Sequence, residues 1–192
     1  MSIRQVFRTM LLMALLGGLP AAATTQLAVD LPGLAKGSDA VVHGVVRRVE
    51  SRWSGDKMRI VTDVEIQVTE SLKGQPGNTV LVTQPGGRVG DVGQVVHGLA
   101  SFTPGEEVVV FLEKRGARAF RVHSMAQGKY QVKRDAEGKA AMAVPEASEA
   151  LLLDPVTRKP GASAREPMTL EQLKAAVRAA LESAPAPKGQ TP

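Results

Sequence analysis

The amino-acid sequence predicts a mainly β domain, a small antiparallel barrel or curved sheet with a short helix before it and an amphipathic helix after it. Three observations carry this prediction. Ile60, Thr62, Val64, Ile66 and Val68 alternate with mostly polar neighbours, which is the period of a half-buried strand. Between residues 38 and 145, short β-branched runs recur, bounded by Gly, Pro, Asn and Asp turn residues. After Pro145 the strand signals stop, and Leu170, Leu173, Val177 and Leu181 follow at helical spacing.

A chain of 192 residues suits one domain with tails. Residues 1–23 have the layout of a secretory signal peptide: Arg4 and Arg8 without an acid, an apolar run over Met10–Leu19, then Pro20-Ala21-Ala22-Ala23. Cleavage after Ala23 is expected, with an uncleaved anchor as the alternative. The apolar run is about half of the roughly 20 residues that a span requires, and no later stretch is long and apolar enough to cross a membrane. The mature chain should therefore be periplasmic or secreted. The absence of cysteine excludes disulfides, thiolate metal sites and a Cys nucleophile, and fits a bacterial envelope protein held by core packing. Losing Arg4 and Arg8 takes 24 Lys and Arg to 22 against 19 Asp and Glu, and the formal charge from +5 to +3. That is too mild to imply nucleic acid.

Residues 24–37 read as a loose lead-in over Thr24–Leu27 and a short helix, with Asp30 as N-cap, Pro32 in the first turn and Gly37 as the stop. The β domain is expected over 38–145. Ala40–Glu50 is a strand in which Gly44 marks a bulge or close packing. Ser51–Lys57 is a polar connection containing Trp53, and it leads into the alternating strand, which should pair antiparallel with the first. Thr79–Gln84 is a third strand. Pro85–Gly93 is a glycine-rich loop, followed by a short irregular strand within Gln94–Phe102. Glu106–Glu113, a continuous apolar run, is a central strand. Phe120–Met125 returns after a hairpin, and Gly128–Arg134 with Lys139–Val144 forms a last hairpin. Residues 146–167 are a linker with a short helix expected over Glu146–Leu153. Residues 168–182 hold the amphipathic helix, opened by Thr169 and Gln172 in a capping-box pattern. Residues 183–192 read as a disordered tail.

Ser38-Asp39-Ala40-Val41-Val42-x-Gly44-x-Val46, the alternating strand ending Leu72-Lys73-Gly74, and Pro104-Gly105-Glu106-Glu107-Val108-Val109-Val110-Phe111-Leu112 together resemble the OB-fold barrel of netrin-like domains. The tissue inhibitors of metalloproteinases are members of that group, and the chain is also similar to small exported bacterial proteins of unassigned function. The resemblance covers roughly Ser38–Lys133 and implies an OB-like fold. Those inhibitors chelate a target's zinc through an N-terminal cysteine and brace the inhibitory ridge with disulfides. This chain has no cysteine, so that mechanism does not carry over.

No cofactor and no metal is expected. His43, His97 and His123 lie singly in or beside predicted strands, without metal-ligand spacing. The loop Gly86–Gly93 could offer N–H groups to an anion with Arg88 assisting, but it lacks the ending and helix of a phosphate loop and reads as a mobile connection. No serine has a nucleophile context. Single-strand nucleic-acid binders stack bases on aromatics, and here Phe102, Phe111 and Phe120 sit at core positions. Trp53 stands apart in a polar segment, as a lid over one end of the barrel or as an exposed contact residue. Trp53 and Arg88 are the candidate partner-binding residues. The expected function is an exported, non-enzymatic binding module that presents barrel-end loops to a protein partner, with a secreted or envelope protease as one candidate. The alternatives are a structural envelope component without a discrete ligand, or an enzyme of unrecognised type.

Overall fold

The computed structural model describes residues 25–183, apart from 118, 136, 139, 148, 149 and 161–164. The predicted signal peptide and nearly all of the predicted tail lie outside the described residues. The chain runs β1 (Thr25–Leu27), α1 (Leu31–Gly37), β2 (Ala40–Trp53), β3 (Ile60–Lys73), β4 (Thr79–Pro85), β5 (Gly87–Val89), β6 (Val92–Gln94), β7 (Glu107–Arg115), β8 (Ala119–Val122), β9 (Lys129–Arg134), β10 (Ala141–Pro145), β11 (Leu151–Leu153), β12 (Met168–Thr169) and α2 (Leu170–Glu182).

The mainly β fold class stands, as a large curved sheet with the order β12-β10-β9-β7-β2-β3-β4-β8. It is mixed rather than wholly antiparallel. β8 pairs antiparallel with β7 and also meets β4 through one parallel pair, Val82 with Phe120. The pairings β2, β3, β4, β8 and β7 thus return on themselves, and an odd ring of strands cannot alternate direction at every step. One junction has to be parallel, and here it is the β4–β8 seam.

The longest ladder joins β2 to β3 antiparallel, as expected, with a register shift between His43 and Gly44. A Cβ at Gly44 would run into the carbonyl oxygen of Gln67, so the position requires glycine for close approach. β7 is the central strand that its apolar run predicted. Val108, Val110 and Leu112 face the concave core with Val42, Val46, Val64, Ile66 and Val82, whereas Val109 and Phe111 face the helices. On that outer side, Leu34 and Ala35 of α1 and Leu170, Leu173 and Val177 of α2 pack with Val41, Phe111 and Tyr130. The caps form as read: Asp30 accepts from Gly33 N, and Thr169 and Gln172 complete a capping box.

Six local expectations are corrected. Thr25–Leu27 is not a loose lead-in but a strand, parallel to Leu151–Leu153, and those leucines form β11 instead of a helix. Leucine is a good helix former, but pairing with β1 overrides that weak local preference. The first strand runs on to Trp53, which pairs with Ile60, so Trp53 ends a strand instead of sitting in a connection. The loop Gly86–Gly93 is mostly the hairpin β5–β6, closed by a two-residue turn at Gly90 (φ +59) and Asp91. Of Gln94–Phe102, only Gln94 is in a strand. The return after β7 ends at Val122, and a 3-10 turn covers Met125–Gly128.

Candidate functional site

Past the Val82–Phe120 pair, β4 and β8 are no longer paired, and a cleft of about 640 Å³ opens at that end of the seam. This is within the size range of ligand pockets. Arg52, Arg59, Arg115 and Arg121 line it, together with Glu113, Gln84, Leu99, Val122, Ser124 and Met125. Three of the guanidinium groups have carboxylate partners. Arg52 Nε donates to Asp63 Oδ2 at 2.6 Å, Arg121 binds Glu113, and Arg59 lies 4.0 Å from Asp56. Arg115, at the exposed end of β7, has no side-chain partner among the described residues.

Gln84 forms part of the cleft wall and is 8% exposed. Its Nε2 donates to Ala100 O at 3.0 Å, and its buried Oε1 receives no hydrogen bond. The side chain lies on the same face of β4 as buried Val80 and Val82, and an unmatched buried acceptor costs roughly 1–3 kcal/mol. Ser124 and Met125 both have φ near +57, uncommon for residues with a side chain. The turn is held by Ala126 N donating to Gly98 O and by Gln26 Nε2 on Met125 Sδ.

Two of the three histidines are built into the fold. His123 Nδ1 bonds Glu113, which resembles the orienting half of an acid–base pair, but its Nε2 packs against Gly37, where a Cβ would lie 2.7 Å away. No nucleophile fits between them. Burial acts to raise the Glu113 pKa, but hydrogen bonds from His123 and Arg121 outweigh it and hold the carboxyl below its usual range. His43 Nε2 meets Glu107 Oε1 at 2.8 Å, and Arg134 grips the same carboxylate at 2.6 and 2.8 Å. The Arg134 hydrogen bonds, followed by that of His43, lower the Glu107 pKa against burial. His97 is an exposed loop residue. Among the described residues, no three His, Asp or Glu side chains converge as metal ligands.

Lys129 is 1% exposed. Its ammonium donates to Ser101 O (2.5 Å), Glu106 Oε1 (2.7 Å) and Glu146 Oε2 (3.1 Å), and sits 4.9 Å from the centre of the Phe102 ring. All three of its donors are used, which makes this cluster a tie between the loop before β7, β9 and the end of β10.

Neither residue singled out from the sequence lines the cleft. Trp53 lies at the end of β2 and is 41% exposed. Arg88 Nε donates to Gly90 O within its own hairpin. The fold does bring the two to the same end, because β5 packs on β2 and β3 near Ser51 and Thr62. Around Ile60, whose N–H donates to Gln94 Oε1, Met58 is 81% and Val95 78% exposed. Arg115, Arg121 and Gln84 were missed. The two arginines leave one trace in the sequence, the density of basic residues in Lys114–Arg121, and Gln84 leaves none. No family model matches this chain, and no curated protein matches it.

Proposed function

We propose that the protein is an exported, non-enzymatic binding module, OB-like in character, that presents the β2–β3 hairpin end and the adjoining base of β5–β6 to a protein partner. One observation carries the reading: Trp53, Met58 and Val95 are exposed together around Ile60, at the tip of the β2–β3 hairpin and beside the base of the β5–β6 hairpin. Exposed apolar groups clustered in this way mark interaction surfaces, and tryptophan is the residue type that most often anchors them. The ring of pairings β2-β3-β4-β8-β7 supports the OB-like description, and the signal-peptide layout of residues 1–23 supports export.

A pull-down from periplasm and culture fluid tests this reading, using the purified protein and a Trp53→Ala/Met58→Ser variant. The expected result is a specific protein retained by the wild type and lost by the variant, with the melting temperature of the variant unchanged. Equal retention by both would reject the assigned surface.

A further inference from the structure

Past Val45 the outer side of β2 has no neighbouring strand among the described residues. The ladder to β7 runs from Ala40 to Val45, and Val46 then bonds to Gly105 and Glu106 of the turn before β7. From Arg48 to Trp53 the strand pairs with β3 alone, in unbroken register. β5 meets this stretch through the side chain of Ser51, on the face of the sheet and not at its edge. The direction of the free backbone groups follows from Ile60. Its N–H donates to Gln94 Oε1 and its carbonyl accepts from Gly86 N, so both point away from Trp53. The Trp53–Ile60 pair is therefore of the non-hydrogen-bonded kind, and Trp53 directs its own N–H and C=O outward. Two and four residues earlier on the same side, Ser51 and Val49 do likewise. Among the described residues nothing bonds to the backbone of Val49 or Ser51 on this side, and the Trp53 carbonyl has only a long contact, 3.4 Å, from Arg52 Nη1. This edge is an open template for one more strand.

Charge decides which strand fits it. Charged side chains commonly keep such edges apart, but here Arg48, Glu50 and Arg52 alternate in sign along one exposed side, so a copy of the same edge can lie opposite without like charges meeting. Outward residues must face outward residues, which leaves few registers. With Glu50 or Arg52 on a two-fold axis, like charges meet. With Val49 on it, the irregularity between Val46 and Arg48 cuts the ladder short. With Ser51 on it, Glu50 faces Arg52 of the second copy and Trp53 faces Val49, each twice. Opposite-charge and aromatic–β-branched pairs both stabilise antiparallel strands, and the charges fall at the closely spaced, non-hydrogen-bonded positions. Both charged groups keep atoms to spare. Glu50 Oε2 takes Arg48 and Arg52 Nε holds Asp63, whereas Glu50 Oε1 and Arg52 Nη2 have no partner among the described residues.

We propose that two copies of this chain associate edge to edge through residues 49–53 of β2, antiparallel, with Ser51 on the two-fold axis. Such an interface is isologous, each copy giving and receiving the same contacts. It does not rest on the protein-partner reading, whose surface extends beyond Trp53 to Met58 and Val95.

Sedimentation velocity of the purified protein over a concentration series tests this, alongside Glu50→Arg, Arg52→Glu and an equimolar mixture of the two variants. The wild type should dimerise as its concentration rises. Each variant alone sets like charges opposite one another twice and should self-associate about tenfold more weakly. The mixture restores opposite charges at both positions and should return to near the wild-type dimer, which chains that had lost their fold could not do. A wild type that stays monomeric up to about 1 mM overturns the proposal. A dimer that neither variant weakens also overturns it, in favour of another surface. Weakening in both variants without recovery in the mixture overturns it as well, because the paired charges would then not be the cause.

Discussion

Glu70 on β3 accepts the Lys174 ammonium of α2 at 2.8 Å through one carboxylate oxygen, and Arg178, one turn further along the helix, reaches the other at 2.5 Å. This clamp joins the charged flank of α2 to the sheet, beside the apolar stripe that buries Leu173 and Val177. The Lys174 hydrogen bond, followed against burial by the charges of Lys174 and Arg178, holds the Glu70 pKa below its usual 4.5.

Glu70, Glu107, Glu113 and Glu146 all have lowered pKa values, so the unfolded chain binds more protons than the folded one in acid. The stability they contribute is complete above the unfolded value of 4.5 and is lost as pH falls through the depressed folded values. Melting temperature should be nearly flat from pH 7 to about 5 and fall below it. Glu70→Gln should melt a few degrees lower at pH 7, a loss of about 1 kcal/mol, and show a shallower acid decline. Parallel acid limbs for variant and wild type would contradict the linkage.

The Lys129 cluster makes a sharper prediction. Lys129→Met leaves Glu106 and Glu146 facing each other in a mostly buried site, at a cost of about 3–5 kcal/mol. Adding Glu106→Gln and Glu146→Gln should recover part of that loss by removing the charges. Denaturant unfolding of the single and triple variants measures this, and a triple variant less stable than the single would count against an electrostatic origin.

Ile66 is fully buried on the concave face, whereas Glu65 points outward with its side chain 38% exposed near Arg48. Ile66→Asp should unfold the domain, since an unpaired buried carboxylate costs several kcal/mol, comparable to total stability. Glu65→Lys should shift the melting temperature by about a degree or two at most. Comparable melts for the two variants would refute the assignment of faces.

Deletion of residues 160–192 removes α2 and uncovers Phe111, Tyr130 and Val41 on the outer face. The helix docks on the sheet, so truncation should lower the melting temperature by well over several degrees and expose dye-binding apolar surface. An unchanged melt would mean that this contact contributes little to stability.

Elements whose signals are local can be read from the residues alone. The alternation of β3, the continuous apolar run of β7, the caps at Asp30 and Thr169, and the close approach at Gly44 all follow from residue period and backbone sterics, and each appears where it was read. Tertiary structure decided what depends on residues distant in the chain. Thr25–Leu27 becomes a strand only because Leu151–Leu153 lies beside it, and a parallel pair leaves no hairpin signature. The β4–β8 seam, parallel because the ring of strands is odd, is a single pair, and the cleft lies beyond it. Arg52 and Arg59 are distant in the chain from Arg115 and Arg121, and only the fold lines one cleft with all four.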